Sequence, residues 1–171
     1  MEFSEKKVDS EYIYKGRILN LRKDNVALPN GNKSIREIIE HGGGSAILCV
    51  NNDKILLVKQ FRYAYNKAIW EIPAGKIEKG ENPTSTAFRE LEEECGIKAE
   101  NMTLICKMYP SPGYTEEIVY IYRAENLNTG STHFDIDENI ESCWFDVKTA
   151  KDMVKNGEIN DAKTIIAISM I

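Results

Sequence analysis

Three glutamates stand close together near the middle of the chain, at Glu90, Glu93 and Glu94. In an α-helix, spacings of three and four residues place these carboxylates on one stripe. Like charges in this arrangement repel one another, at a cost of a few tenths of a kcal/mol per pair. A divalent cation would offset that repulsion, and carboxylate oxygens without His or Cys favour Mg²⁺, Mn²⁺ or Ca²⁺ over zinc. The alternative is a solvated acidic face, which an isolated Glu-Leu-Glu-Glu-Glu run would favour.

The sequence around these glutamates predicts a helix over residues 83–95. Asn82 is a good N-cap, Pro83 suits the first helical position, and Gly96 stands where a helix-terminating glycine belongs. Arg89 lies one turn before Glu93, so we expect the two to pair. A separate apolar stripe faces the core and consists of Ala87, Phe88, Leu91 and Cys95.

The spacing of residues around the helix distinguishes the two interpretations of the glutamates. The chain reads Gly75-x5-Glu81-x7-Arg89-Glu90-Leu91-x-Glu93-Glu94-x-Gly96-Ile97. Residue frequencies give a chance expectation on the order of one in a million for this set of identities. On these residues the chain resembles the Nudix hydrolases, because it matches the Nudix box at every defined position. The resemblance decides against a merely solvated acidic face.

The resemblance implies metal-dependent hydrolysis of a nucleoside diphosphate linked to another group, with Mg²⁺ (or Mn²⁺) as the cofactor. It makes Glu81 an outer or indirect ligand and Arg89 the residue that orients the glutamates. It assigns a conformational role to Gly75 and Gly96. The metal ligands that it implies are the main-chain carbonyl of Ala74 and the carboxylates of Glu90, Glu93 and Glu94, with Glu93 also counted as catalytic.

Several short motifs outside the box resemble those of the ADP-ribose pyrophosphatases, a subfamily of the Nudix hydrolases. They are Gln60-Phe61-Arg62, the approach to the box at residues 70–75, Pro112, and an N-terminal ribbon similar to that subfamily's dimerising domain. The implied reaction converts ADP-ribose, or a related ADP-sugar, to AMP and ribose 5-phosphate. The implied substrate-binding residues are Arg36, Arg62, Pro112, Gly113 and Glu117. In a swapped homodimer, Arg36 would come from the partner subunit.

A general base is still required, because the helix glutamates are assigned to metal. The resemblance places this base on a loop before the last strand and helices, here residues 134–141. Glu138 fits the pattern best and Glu141 is the second candidate. Loop closure could bring such a carboxylate within hydrogen-bond reach of the attacking water.

Two other interpretations of the sequence stay open. One keeps the chemistry and changes the substrate to GDP-mannose, another nucleotide sugar or a dinucleoside polyphosphate, the last because of the position of Tyr114. The other is a non-catalytic Nudix module that senses a nucleotide. The complete set of glutamates argues against the second.

Composition limits the classes of partner. The 171 residues carry a net charge of −5, and 42% of them are hydrophobic. An acidic balance argues against nucleic acid as a partner, and no apolar run is long enough for a membrane span. The charged N-terminus indicates no signal peptide, and four dispersed cysteines indicate reduced thiols. We therefore expect a cytoplasmic protein that binds a small nucleotide sugar and forms a homodimer.

The pattern of elements predicts an α/β (α+β) fold with a mixed, largely antiparallel sheet. A β-ribbon covers residues 11–41 with a turn at 29–32, and Gly42-Gly43-Gly44 is a hinge. We expect an N-terminal antiparallel β-domain over 1–42 and a main domain over 43–171, which the resemblance makes a Nudix α/β/α sandwich. The remaining predicted strands are 45–50, 54–60, 69–72, 102–109, 117–124 and 142–146, and the remaining helices are 147–155 and 162–171.

Overall fold

The chain forms two compact units in a computed structural model that describes residues 3–133 and 139–171. The first unit contains the residues up to Gly43 together with Tyr109–Ile118. The second contains Gly44–Met108 and Val119–Ile171. The segment 109–118 was not expected in the first unit from the sequence. The boundary between residues 42 and 43 remains a prediction.

The first unit is built on a three-stranded antiparallel sheet in the order β1-β2-β3. Its strands are β1 (Lys6–Lys15), β2 (Leu19–Ala27) and β3 (Lys33–His41). The predicted turn between β2 and β3 is present, and Gly31 supplies a backbone φ of 84° that side chains disfavour. Ile39 of β3 bonds the segment 109–118, donating to the carbonyl of Tyr114 (2.7 Å) and accepting from the amide of Glu116 (3.0 Å). The segment therefore extends this sheet at its β3 edge.

An ion-pair network lies on one face of this sheet. Arg22 pairs with Asp24 (3.0 Å), Glu40 (2.5 Å) and Glu116 (2.6 Å). The buried Asp24 also accepts a hydrogen bond from the Ser10 hydroxyl, and this bond, together with Arg22, lowers the pKa of Asp24. A buried carboxylate requires such partners, because an unpaired charge away from water is costly. The network thus ties the segment 109–118 to the strands of the sheet.

The second unit contains a mixed sheet whose main path runs β10-β5-β4-β9-β8. Its strands are β4 (Gly44–Asn51), β5 (Lys54–Arg62), β6 (Lys67–Glu71), β7 (Ala74–Lys76), β8 (Ile97–Met108), β9 (Val119–Thr129) and β10 (Ile140–Asp146). β6 pairs with β5 and β7 with β4, while a short 3₁₀ helix, Tyr63–Tyr65, connects β5 to β6. β4 and β9 are parallel, and the other pairings are antiparallel.

Within the part of the chain that the structure describes, three helices cover this sheet: α1 (Pro83–Cys95), α2 (Val147–Lys155) and α3 (Ala162–Ser169). One apolar cluster joins α1 to the sheet through Ala87 and Leu91, which are fully buried. The other joins α2 and α3 through Met153 and Ile168. Alternating residues of β4 contribute to each cluster, because successive side chains of a strand point to opposite faces. The second unit is therefore an α/β/α sandwich.

These observations confirm the predicted fold class and most predicted elements. The first helix spans Pro83–Cys95 as expected, whereas the last ends at Ser169, before the expected residue 171. β1 begins at Lys6, earlier than residue 11, and β8 begins at Ile97, earlier than residue 102. Among the described residues, no helix combines the length and the apolar character needed to cross a membrane.

Candidate active site

Local hydrogen bonds fix both ends of α1. The Asn82 side chain accepts from the amide of Ser85 (2.9 Å), and Gly96 ends the helix with a φ of 62°. The Ser45 hydroxyl of β4 donates to the carbonyl of Pro83 (2.6 Å), which anchors the first turn of the helix to the sheet. The glutamates of α1 therefore project from a helix whose start is fixed to the core.

Arg89 is the centre of the glutamate cluster. Its Nε and Nη2 donate to the two carboxylate oxygens of Glu81, each at 3.0 Å. Its Nη1 donates to both Glu90 (2.7 Å) and Glu93 (2.8 Å). The predicted pair with Glu93 is present, and Arg89 also contacts Glu90, one of the glutamates that the resemblance has it orient. The contact with Glu81 was not predicted. One guanidinium thus gathers three carboxylates, as a fork of five donors allows.

These hydrogen bonds shift the pKa values of Glu81 and Arg89. Hydrogen bonds from Arg89 lower the pKa of Glu81 to about 2. The bonds that Arg89 donates to Glu81 raise the pKa of Arg89 most. Burial acts in the opposite direction, but a further bond to Glu93 adds to the rise, so the pKa of Arg89 stays raised. Glu81 and Arg89 therefore both stay charged across the neutral range.

Gly75 makes room for the Glu90 carboxylate. A Cβ atom at residue 75 would lie 1.8 Å from Glu90 Oε1 and 1.9 Å from its Cδ. Gly75 is not among the glycines with positive φ, so the expectation of a conformational role at this position is wrong. The expectation holds for Gly96. Only glycine lets the backbone approach a buried carboxylate this closely.

Glu94 and Ala74 complete the cluster. Glu94 is 3% exposed, and its Oε2 accepts from the amide of Ala74 (3.1 Å). The cluster brings carboxylate oxygens close to the main chain at Ala74. Oxygen ligands of this kind suit Mg²⁺ or Mn²⁺. Because Gly75 has no side chain, the Glu90 carboxylate can also lie close to the backbone. Within residues 3–133 and 139–171, no three His, Cys, Asp or Glu side chains are already arranged around one common point for an ion.

A second charged cluster contains the predicted substrate residue Arg62. Its Nε and Nη2 donate to the two oxygens of Glu71, at 2.6 and 2.8 Å. Glu71, 4% exposed at its side chain, also pairs with Lys163, which lies 3.1 Å from Asp161. Burial works to raise the pKa of Glu71, but the two cations outweigh it and the pKa is lowered. These four residues border a cavity of about 400 Å³.

Four predicted substrate residues belong to the first unit. Arg36 pairs with Glu5 (2.6 Å), and Pro112 and Gly113 lie in an exposed loop. Glu117 Oε1 lies 3.5 Å from His41 Nδ1. The roles of these residues as substrate contacts remain predictions.

The structure describes one of the two candidates for the general base, Glu141. Glu138 lies outside the described residues. Glu141 is exposed on β10, opposite Lys59 of β5 in the strand pairing. Its role as a base therefore remains a prediction.

The fold resembles that of a known hydrolase. A crystal structure described as an ADP compounds hydrolase superposes with a TM-score of 0.84 at 21% identity, covering 96% of this chain and 90% of that chain. This likeness defines the fold class. The NUDIX domain family matches residues 41–167, and the nucleoside diphosphate sugar hydrolase N-terminal domain family matches residues 5–39.

Two full-length relatives are more similar in sequence. The ADP-ribose pyrophosphatase of Bacillus subtilis is 44% identical over 98% of this chain and 92% of that protein. The methanol dehydrogenase activator of Bacillus methanolicus is 41% identical over 99% of this chain and 93% of that protein. The chain belongs to the Nudix family, and it is a pyrophosphohydrolase of that family.

Proposed function

We propose that this enzyme hydrolyses the pyrophosphate bond of ADP-ribose, or of a closely related ADP-sugar, to AMP and ribose 5-phosphate in the presence of Mg²⁺. The observation that carries the proposal is the Arg89-centred glutamate cluster beside the Ala74–Gly75 backbone. The near full-length similarity to an ADP-ribose pyrophosphatase supports the choice of substrate.

The cluster provides what a pyrophosphate hydrolysis needs. The carboxylates of Glu90, Glu93 and Glu94 and the carbonyl of Ala74 would hold Mg²⁺, with Mn²⁺ as a substitute. When bound, the dication neutralises charge on the diphosphate and promotes ionisation of the attacking water. Arg89 sets the directions of Glu90 and Glu93 through bonds from a single nitrogen.

Substrate binding and proton transfer fall to other residues in this proposal. Arg62 would contact phosphate or the terminal ribose, as would Arg36, supplied by the partner subunit if the dimer is swapped. Pro112, Gly113 and Glu117 are the other substrate contacts that we propose from the sequence. Glu138, with Glu141 as the second candidate, would accept a proton from the water as its oxygen attacks phosphorus. The P–O bond of the bridge then breaks, and the leaving oxygen departs on the other phosphate.

Substitution of single glutamates tests this assignment. Glu94→Gln keeps the size of the side chain and removes its charge, so we expect kcat/KM for ADP-ribose with Mg²⁺ to fall at least about 10²-fold. Glu92→Gln is the matched control, because Glu92 lies on the same helix and pairs with Lys98 (3.1 Å) instead. Wild-type turnover by the Glu94 variant would overturn the metal assignment.

A panel of substrates tests the choice of ADP-ribose. GDP-mannose, other nucleotide sugars and a dinucleoside polyphosphate share the bond to be cleaved, so the ranking by kcat/KM decides among them. We expect ADP-ribose to rank first. A higher kcat/KM for GDP-mannose would move the assignment to that substrate.

A second candidate function follows from the relative that is a methanol dehydrogenase activator. Its similarity extends over 99% of this chain, compared with 98% for the hydrolase relative. Addition of this protein to a purified methanol dehydrogenase, with and without Mg²⁺, tests the activation. An unchanged dehydrogenase rate would exclude it.

We also propose that the protein is a homodimer in the cytoplasm. Apolar side chains exposed in the first unit support association, with Val8 at 58%, Ile13 at 53% and Ile35 at 54% exposure. The four cysteines are all free, as is usual for a reducing compartment. Light scattering coupled to gel filtration measures the mass, and a monomer at micromolar concentration would contradict the dimer.

A further inference from the structure

We propose that Lys163, in the first turn of α3, is a positioning residue for substrate binding that acts on Arg62 through the carboxylate of Glu71. The inference rests on the proposed function in one respect, since Arg62 is taken as a contact to the anionic part of the substrate. Lys163 lies outside the Nudix box and was not among the predicted site residues.

The orientation of Arg62 is set by Glu71. The carboxylate holds the Nε and Nη2 edge of the guanidinium by two bonds, at 2.6 and 2.8 Å. Among the described residues, Nη1 of Arg62 donates no hydrogen bond. Arg62 is 40% exposed at its side chain and lines the same cavity as Lys163. The guanidinium is thus clamped along one edge and can offer the other to a phosphate oxygen, as bidentate anion recognition requires.

The placement of Lys163 is costly for a lysine. Its side chain is only 13% exposed, and lysines are rarely buried unless they are paired. It also follows the N-cap Asp161 by two residues, at the positive end of the helix, where a cation is unfavourable. Helix stability therefore does not account for a lysine at this position, whereas the ion pair with Glu71 does.

The first turn of α3 holds Lys163 against the strand that carries Glu71. The amide of Ile72, next to Glu71, donates to the hydroxyl of Thr164 (2.8 Å), and that hydroxyl donates to Asp161 (2.6 Å). Asp161 in turn contacts Lys163 at 3.1 Å. Every link of this path joins groups that are within hydrogen-bond distance, so the lysine is fixed relative to the carboxylate that it neutralises.

Charge explains why the lysine would matter for binding. With Lys163 present, the positive charges of Arg62 and Lys163 balance the negative charges of Glu71 and Asp161. Without Lys163, the remaining three residues carry a net negative charge beside the cavity. Glu71 is then paired with Arg62 alone. An anionic substrate is then bound less tightly, while the chemistry at the glutamates of α1 is unaffected.

Steady-state kinetics of lysine variants test the proposal. For Lys163→Met we expect KM to rise about tenfold, with kcat changed by less than about threefold. Lys163→Arg keeps the charge and should restore KM to within about threefold of the wild type. Lys155→Met is the matched control, because Lys155 lies on α2 and its side chain is 73% exposed. Lys163→Gln replaces the Met variant if that variant does not fold.

A double-variant cycle separates positioning from direct contact. If Lys163 acts through Arg62, Lys163→Met should raise KM by less than about threefold once Arg62→Met is present. Full multiplication of the two effects would overturn the positioning role, as would a fall in kcat with unchanged KM. Calorimetric titration of ADP-ribose into the same variants measures binding without turnover. A wild type that binds but does not hydrolyse ADP-ribose would refute the proposed function, while the ratio of affinities would still test Lys163.

Discussion

Replacement of Gly75 by alanine should inactivate the enzyme without unfolding it. The added Cβ would lie 1.8 Å from Glu90 Oε1, whereas carbon–oxygen contacts normally exceed about 3 Å. The Glu90 carboxylate must therefore move by more than about 1 Å from its present position. The backbone at residue 75 has no positive φ, so the substitution itself introduces no conformational strain.

A displacement of this size is large for a catalytic carboxylate. A misplacement of about 1 Å can cost about 10²-fold in rate, which corresponds to about 2.7 kcal/mol in the barrier. We therefore expect kcat/KM of Gly75→Ala to fall by about 10²-fold or more, with a higher Mg²⁺ concentration needed for half-maximal activity. The measurements are a Mg²⁺ titration of ADP-ribose hydrolysis and a thermal unfolding curve for each protein.

Gly130→Ala is the matched control. An added Cβ at this position would lie 3.2 Å from Glu92 Oε1 and 3.1 Å from Lys98 Cγ, both on flexible surface side chains. We expect its activity to stay within about twofold of the wild type, because these side chains can move aside. A folded Gly75→Ala enzyme with wild-type kcat/KM would refute the idea that Glu90 must lie against the backbone.

Two further predictions concern stability. Because Arg89 lowers the pKa of Glu81 to about 2, this carboxylate stabilises the fold above its unfolded pKa of about 4.3, and the contribution disappears as the pH falls through about 2. Urea unfolding should therefore show Glu81→Gln to be less stable by about 2 kcal/mol at pH 7, and an undiminished difference at pH 2 would contradict this origin. Thr164→Val removes the buried acceptor for the Ile72 amide and should cost about 2 kcal/mol. Thr149→Val, at an exposed position of α2, should change stability by less than about 0.5 kcal/mol.

Short-range signals in the sequence predicted the parts of the fold that are determined locally. Asn82, Pro83 and Gly96 act within one turn of a helix end, so the bounds of α1 could be predicted residue by residue. The i,i+4 pair of Arg89 and Glu93 follows from helical periodicity alone. These features depend on no other part of the chain.

Features that depend on tertiary packing could not be predicted in the same way. Glu71 and Lys163 are 92 residues apart in the sequence, and only the packing of α3 against the sheet brings them together. The role of Gly75 depends on where the Glu90 side chain comes to lie, which no local pattern specifies. The joining of 109–118 to β3 likewise depends on contacts distant in sequence.

The path of the chain through the first unit has a consequence for biosynthesis. This unit needs the residues up to Gly43 and also Tyr109–Ile118, so its last strand-like piece leaves the ribosome only after most of the second unit's sheet has been made. A fragment that stops at Gly43 lacks Glu116, one of the three carboxylates that Arg22 binds. The N-terminal region is therefore completed late during translation, and an expression fragment limited to it would be missing a structural part.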